Sequence, residues 1–167
     1  MTLQVGFKKL TDTAIMPTRE HDTDSGYDLY ADEDVIITPN ETKVIKTGIS
    51  VKLPPNCEAQ VRPRSGITSR TKLRVQLGTI DNGYNGDVGV IVDNISDEPE
   101  SFMMKAEKLD GGLEEFEEYL PKGSYYIRKG DKIAQLVVQY LPKTVSYEVK
   151  NDWESERGSN GFGSTGV

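Results

Sequence analysis

Short stretches of alternating apolar and polar residues, each closed by turn-forming residues, recur along this chain and leave little room for helices. They fall at residues 3–9, 35–37, 42–51, 58–62, 72–77, 88–94, 124–127, 132–141 and 145–150. Thr-Pro-Asn, Leu-Pro-Pro-Asn, Asn-Gly and Lys-Gly-Asp separate them. A period of two buries one face of a strand, and closely spaced strands with such punctuation build a sandwich or barrel rather than βαβ units. An all-β fold is therefore expected. One helix is predicted over residues 112–120, where Leu113, Phe116 and Leu120 share a face and glutamates crowd the first turn and the opposite side.

At 167 residues the chain is long enough for one domain with a proper core. It has no run of 18 apolar residues and no basic-apolar N-terminal pattern, so a cytoplasmic protein without a membrane span or secretory signal is expected. Cys57 is the only cysteine, which excludes an intramolecular disulfide and a multi-cysteine metal site. His21 is the only histidine, so a histidine zinc site or a Ser-His-Asp triad has no support. Any metal should be held by oxygen, as Mg²⁺ is. The net charge is −7, and residues 97–118, with nine acids and two lysines, hold all of that excess. Residues 59–77 carry Arg62, Arg64, Arg70, Lys72 and Arg74 and no acid. The acidic total argues against non-specific nucleic-acid binding, but not against a small anion.

Residues 78–87 read GTIDNGYNGD. Two Asn-Gly pairs predict a tight β-hairpin between residues 72–77 and the run beginning at Val88, because Asn and Gly tolerate positive φ. A turn needs neither the carboxylate of Asp81 nor the hydroxylated ring of Tyr84, whereas a small-molecule pocket uses both. Four further segments are DSGYDLYA (24–31), RPRSG (62–66), GDKIAQL (130–136) and RGSNGFGSTG (157–166). Singly, each has a structural explanation as a turn, a strand end or a loose terminus. Together their chemistry converges. RPRSG supplies a guanidinium, a hydroxyl and a free backbone for phosphate. Gln135 adds an amide, and the tail adds Arg157, Ser164, Thr165, backbone N–H groups at Gly161 and Gly163, and Phe162 to stack on a base. A nucleoside triphosphate site with an acid-base carboxylate and a closing lid is expected.

The five segments, in this order, resemble the five motifs of the trimeric dUTPases, from about Asp24 to the C-terminus. The resemblance implies a distorted jelly-roll-like β-barrel that forms a homotrimer, its sites built from all three chains. Residues 1–155 would form the barrel, and residues 156–167 a tail that closes a site. It implies that Asp81 positions and deprotonates the water attacking the α-phosphorus of dUTP. Tyr84 would exclude a 2′-hydroxyl, and the backbone at Gly78, Ile80, Asn82 and Gly83 would read the uracil edge. Arg64, Ser65, Gly66 and Gln135 would hold the α- and β-phosphates, and Arg157, Ser164 and Thr165 the γ end. Gly161 and Gly163 would flank Phe162 on the uracil. Asp28 would touch a Mg²⁺ shell through water. The products would be dUMP and pyrophosphate, which limits uracil in DNA.

One departure is the long stretch between the third and fourth motifs, about residues 96–122. It resembles inserts of bacteriophage dUTPases, some of which also bind a repressor protein, so a docking role is implied, with a host bacterial cytoplasm as the setting. Two other readings stand beside the hydrolase. A deoxycytidine triphosphate deaminase of the same fold would need a glutamate about where Ile91 stands. A nucleotide-sensing regulatory protein with little catalysis would keep the same site.

Overall fold

The computed structural model describes residues 3–97, 101–156, 158 and 159. In chain order the elements are β1 (Gly6–Lys9), β2 (Tyr27–Tyr30), β3 (Val35–Ile37), β4 (Thr42–Ile45), β5 (Ile49–Lys52) and β6 (Cys57–Arg62). Helix α1 (Ser65–Arg70) follows, then β7 (Leu73–Val75), β8 (Gly78–Ile80) and β9 (Val90–Asn94). The last are β10 (Phe102–Lys108), β11 (Leu113–Pro121), β12 (Tyr125–Ile127) and β13 (Lys132–Tyr140). Among the described residues the strands pair as β1-β5, β11-β10-β12-β3, β2-β13-β6-β8 and β4-β9-β7. These small curled sheets form the expected jelly-roll-like barrel. None of the described helices is long and apolar enough to cross a membrane.

Period-two patterning places the core. In β6, Cys57, Ala59 and Val61 are buried while Glu58, Gln60 and Arg62 are half-exposed. Strand β13 lies between β2 and β6, and it buries Ile133, Ala134, Leu136 and Val137. Of these, Ile133, Ala134 and Leu136 join Leu29, Ile37, Ile45, Leu73, Val90 and Ile127 in one cluster. Removing each large side chain of this kind from water contributes about 1.5–3 kcal/mol.

Several expectations need correction. Residues 112–120 are not helical, because β11 runs antiparallel to β10. Asp110-Gly111-Gly112 makes the turn, with Gly111 at φ 86° and the Lys108 N–H donating to the Gly112 carbonyl at 2.8 Å. The glutamates meet lysines across the ladder, Lys105–Glu115 and Lys108–Glu114, both at 3.3 Å. Leu113 is exposed, Phe116 packs edge-on against Tyr126, and only Leu120 is buried, so the helical face has nothing to cover it. A partner strand outweighs local propensity here. The helix that does form, α1, lies between the expected strands at residues 58–62 and 72–77, where no helix was expected.

The tight Asn-Gly hairpin is also absent. β7 and β9 do pair antiparallel, but the chain between them leaves their sheet, and β8 pairs with β6 instead. Residues 42–51 divide into β4 and β5 at Gly48, whose φ is +64°. A Cβ there would lie 2.7–2.8 Å from Asp32 Oδ2, Ala14 Cβ and Thr11 Oγ1. Residues 145–150 form no strand. Val145, Tyr147 and Val149 are exposed, and residues 145–150 pair with no strand among the described residues.

Asp32, 7 % exposed, ties the N-terminal loop to the turn before β13. It accepts hydrogen bonds from Thr11 and Thr13 and an ion pair from Lys129 at 3.2 Å. Burial alone would raise this carboxyl, but those donors and the Lys129 charge bring it below its ordinary value.

Candidate active site

Strand register builds the first half of the site. Gln135 of β13 lies opposite Asp28 of β2 on one side and Arg62 of β6 on the other. The three residues form a row across the sheet. Just past the row, the Pro63 carbonyl accepts a hydrogen bond from Gln135 Nε2 at 3.0 Å. Arg64 is extended (φ −93°, ψ 128°) and caps α1, its carbonyl taking the Ile67 and Thr68 N–H groups at 3.1 Å. Buried Ile67 anchors the helix. Ser65 and Gly66 open it, where first-turn N–H groups have no intrahelical acceptor. Just before β2, Gly26 leaves little room for a side chain. A Cβ on Gly26 would lie 3.1–3.2 Å from Val137 Cγ2 and from Gln135 Cβ and Oε1.

Gly26, Asp28, Arg64, Ser65, Gly66 and Gln135 line an open cleft of about 460 Å³ together with Arg19, Glu20, Asp24 and Lys132. Asp28 is its centre. One carboxylate oxygen pairs with Arg64 Nη1, and the other receives Lys132 Nζ at 2.8 Å. Lys132 also reaches Glu20 at 3.9 Å. The Arg19 guanidinium stacks on Tyr27, 4.1 Å from the ring centroid. Partial burial lowers the pKa of Arg64 from its ordinary value, yet a guanidinium stays cationic. The structure thus brings together Asp28, Arg64, Ser65, Gly66 and Gln135, all named from sequence. Sequence reasoning missed Lys132 and Gly26, although both lie inside quoted motifs. It also missed Arg19 and Glu20, which carry no motif signal.

The second half lies elsewhere. After β8, Asp81 is exposed and its carbonyl accepts the Tyr84 N–H at 3.1 Å. Asn82 Nδ2 donates to the Pro54 carbonyl at 2.6 Å, which pins the loop to the β5–β6 turn. Gly83 takes φ +111°, which a side chain would resist. The Tyr84 hydroxyl donates to the Asp87 carbonyl at 2.9 Å, and its ring folds over Gly86. Asn82, Gly83 and Tyr84 border a largely apolar groove of about 500 Å³ with Phe7 and Leu53.

Within one chain the halves do not meet. Ile80 is paired with Ala59, and Gly78 with Val61, so Asp81 continues toward the Cys57 end of β6. Arg64 and Ser65 follow its Arg62 end. At ~3.3 Å per strand residue the two sets are on the order of 15–20 Å apart. Arg157, Gly161, Phe162, Gly163, Ser164 and Thr165, the tail residues expected in the site, lie outside the described residues.

A curled all-β barrel with a cleft lined by three cations and three carboxylates, and a carboxylate-bearing loop beside an apolar groove, fits a protein that handles polar small molecules. The comparisons specify which. Residues 12–107 match the family model for dUTPase. A deoxyuridine 5′-triphosphate nucleotidohydrolase of Crocosphaera subtropica is 40 % identical over 167 residues, covering 99 % of this chain and all of that protein. The Staphylococcus bacteriophage 80alpha dUTPase with dUpNHpp superposes with a TM-score of 0.91 at 36 % identity, covering 98 % of this chain and 99 % of that one. Phage dUTPases of that kind have been described as controlling transfer of virulence genes by a proto-oncogenic G protein-like mechanism. A mutant dUTPase from phage phi11 of S. aureus, described with a structural Mg(II) ion, gives 0.85 at 32 % identity over 91 % of this chain and 99 % of that one. The chain belongs to the dUTPase family.

Proposed function

We propose that this chain is a dUTP diphosphatase that hydrolyses dUTP to dUMP and pyrophosphate in the cytoplasm. The observation that carries the reading, beside family membership, is the row of Asp28, Gln135 and Arg62 leading into Arg64, Ser65 and Gly66. It sets a guanidinium, an amide and a helix opening around one cleft, the donor set that phosphate oxygens need. The α- and β-phosphates lie against Arg64, Ser65, Gly66 and Gln135, with Lys132 beside them. Asp81 holds the attacking water in line with the α-phosphorus and takes its proton as the new P–O bond forms. Pyrophosphate departs with the electrons of the broken bond. Backbone groups at Gly78, Ile80, Asn82 and Gly83 read the uracil edge. Discrimination arises because a wrong base leaves buried polar groups unpaired. Tyr84 closes the sugar pocket against a 2′-hydroxyl.

The cleft fits Mg²⁺. Among the described residues no group of three or more His, Cys, Asp or Glu side chains is arranged to hold a metal. Mg²⁺ does not need such a cage, since it keeps several waters and binds through one or two carboxylates and substrate phosphates. Asp28 is the carboxylate nearest the phosphate donors and would hold the ion through water. When bound, Mg²⁺ supplies charge neutralisation on the phosphates. Arg157, Ser164 and Thr165 would take the γ end, with Phe162 between Gly161 and Gly163 on the base.

Sites shared within a homotrimer account for the separation of Asp81 from Arg64. The chain also exposes Val145, Tyr147 and Val149 in strand-like alternation, and Val44, Leu77 and Ile91 around the β4-β9-β7 sheet. These apolar faces suit contacts with other subunits. Mixing tests the shared site. Asp81→Asn and Arg64→Ala proteins, each inactive alone, are expected to regain dUTP turnover when unfolded and refolded together, since some mixed sites carry neither change. Persistent inactivity of refolded, assembled mixtures would contradict sharing.

A second role for the insert has one specific support. On the β10–β11 arm Phe102 and Tyr119 are 63 % and 70 % exposed, beside glutamates, which suits a protein partner such as a repressor. Deleting the arm would confuse the test, because Ala106, Leu109 and Leu120 are buried. Phe102→Ser with Tyr119→Ser should instead leave dUTP turnover intact and weaken repressor binding. Unchanged repressor binding would exclude this surface.

A further inference from the structure

Within this chain the cations of the phosphate cleft already have a partner. Asp28 holds Arg64 with one oxygen and Lys132 with the other, at 2.8 Å for the lysine. Its side chain is only 16 % exposed, against 31 % for Arg64 and 37 % for Lys132, so water screens this triad less than a surface pair. The cleft as a whole is formally neutral: Arg19, Arg64 and Lys132 face Glu20, Asp24 and Asp28. A nucleoside triphosphate carrying three or four negative charges therefore meets no net attraction from these side chains. It must also take Arg64 and Lys132 away from a carboxylate that holds both.

We propose that Asp28 is a built-in counter-ion that competes with the nucleotide's phosphates for Arg64 and Lys132. Nucleotide binding is then an exchange. The two cations turn to phosphate oxygens, and the carboxylate they leave is free to face a hydrated divalent cation arriving with the nucleotide. This gives Asp28 opposite effects in the two conditions. Without a divalent cation it weakens nucleotide binding, and with one it strengthens it. The metal half rests on the dUTPase reading above. The metal-free half rests only on the ion triad.

The test measures binding of the α,β-imido analogue dUpNHpp to the full chain in EDTA and then in excess Mg²⁺. Asp28→Asn is compared with wild type and with Asp24→Asn. The Asp24 change removes the same charge from the same cleft, but that carboxylate accepts the His21 N–H at 3.0 Å and pairs with no cation among the described residues. In EDTA, D28N is expected to bind dUpNHpp about 3- to 10-fold more tightly than wild type, with D24N gaining about twofold or less. Raising the salt should shrink the D28N gain. In Mg²⁺ the order should invert, with D28N binding more weakly than wild type. Asp28→Ser is the second variant should D28N fold poorly.

Unchanged or weaker binding by D28N in EDTA would overturn the proposal. So would equal gains in D24N and D28N, which would reduce the effect to cleft charge. Wild type that binds no dUpNHpp and turns over no dUTP would instead remove the dUTPase reading itself.

Discussion

Asp81→Asn is expected to lower kcat for dUTP by about 10²–10⁴ with KM within a few-fold of wild type. The carboxylate is exposed on a loop that is held by the Asn82 amide and the Tyr84 N–H rather than by the Asp81 side chain. Asparagine keeps the shape and removes the ability to accept a proton. A carboxylate is a weak base in water, so the size of the loss reports how well the site holds its water in line. Steady-state pyrophosphate release with matched thermal melts would check this. A variant that loses activity through KM alone would make Asp81 a binding group rather than the base.

Gly86→Ala should damage selectivity more than stability. A Cβ at position 86 would collide with the Tyr84 hydroxyl and lie 2.7 Å from Cζ of the same ring. That is the far end of an exposed side chain, so the ring must move while the barrel need not. Tyr84 would lose its 2.9 Å hydrogen bond to the Asp87 carbonyl and leave the place proposed for it beside the sugar. Discrimination of dUTP over UTP in kcat/KM is expected to fall by about 10- to 200-fold, the span of roughly 1–3 kcal/mol of steric selection. Competing-substrate assays on G86A and Tyr84→Ala would check it, since the two should behave alike. G86A with wild-type discrimination would place the sugar away from Tyr84.

The features legible from sequence are those fixed by local chemistry. Strand periodicity pointed to the all-β class, and Arg64, Ser65, Gly66 and Gln135, which the fold gathers in one cleft, stand out by residue type. Their assembly was not legible, because the row of Asp28, Gln135 and Arg62 depends on the register of strands far apart along the chain. Lys132 became a cleft residue for the same reason, its partner Asp28 lying far upstream. The insert misled because a run of glutamates reads as helix until β10 supplies lysines opposite Glu114 and Glu115. Residues 145–150 carry strand alternation but pair with no strand among the described residues, and alternation alone does not say where a partner lies.

The most direct measurement is Mg²⁺-dependent pyrophosphate release from dUTP, dTTP, dCTP and UTP in parallel, with Asp81→Asn alongside. Fast turnover of dUTP alone, lowered by about 10²–10⁴ in the variant, is the predicted result. Tight binding of dUTP without turnover, or equal turnover of all four, would contradict it, and the first of these would mark the chain as a nucleotide sensor.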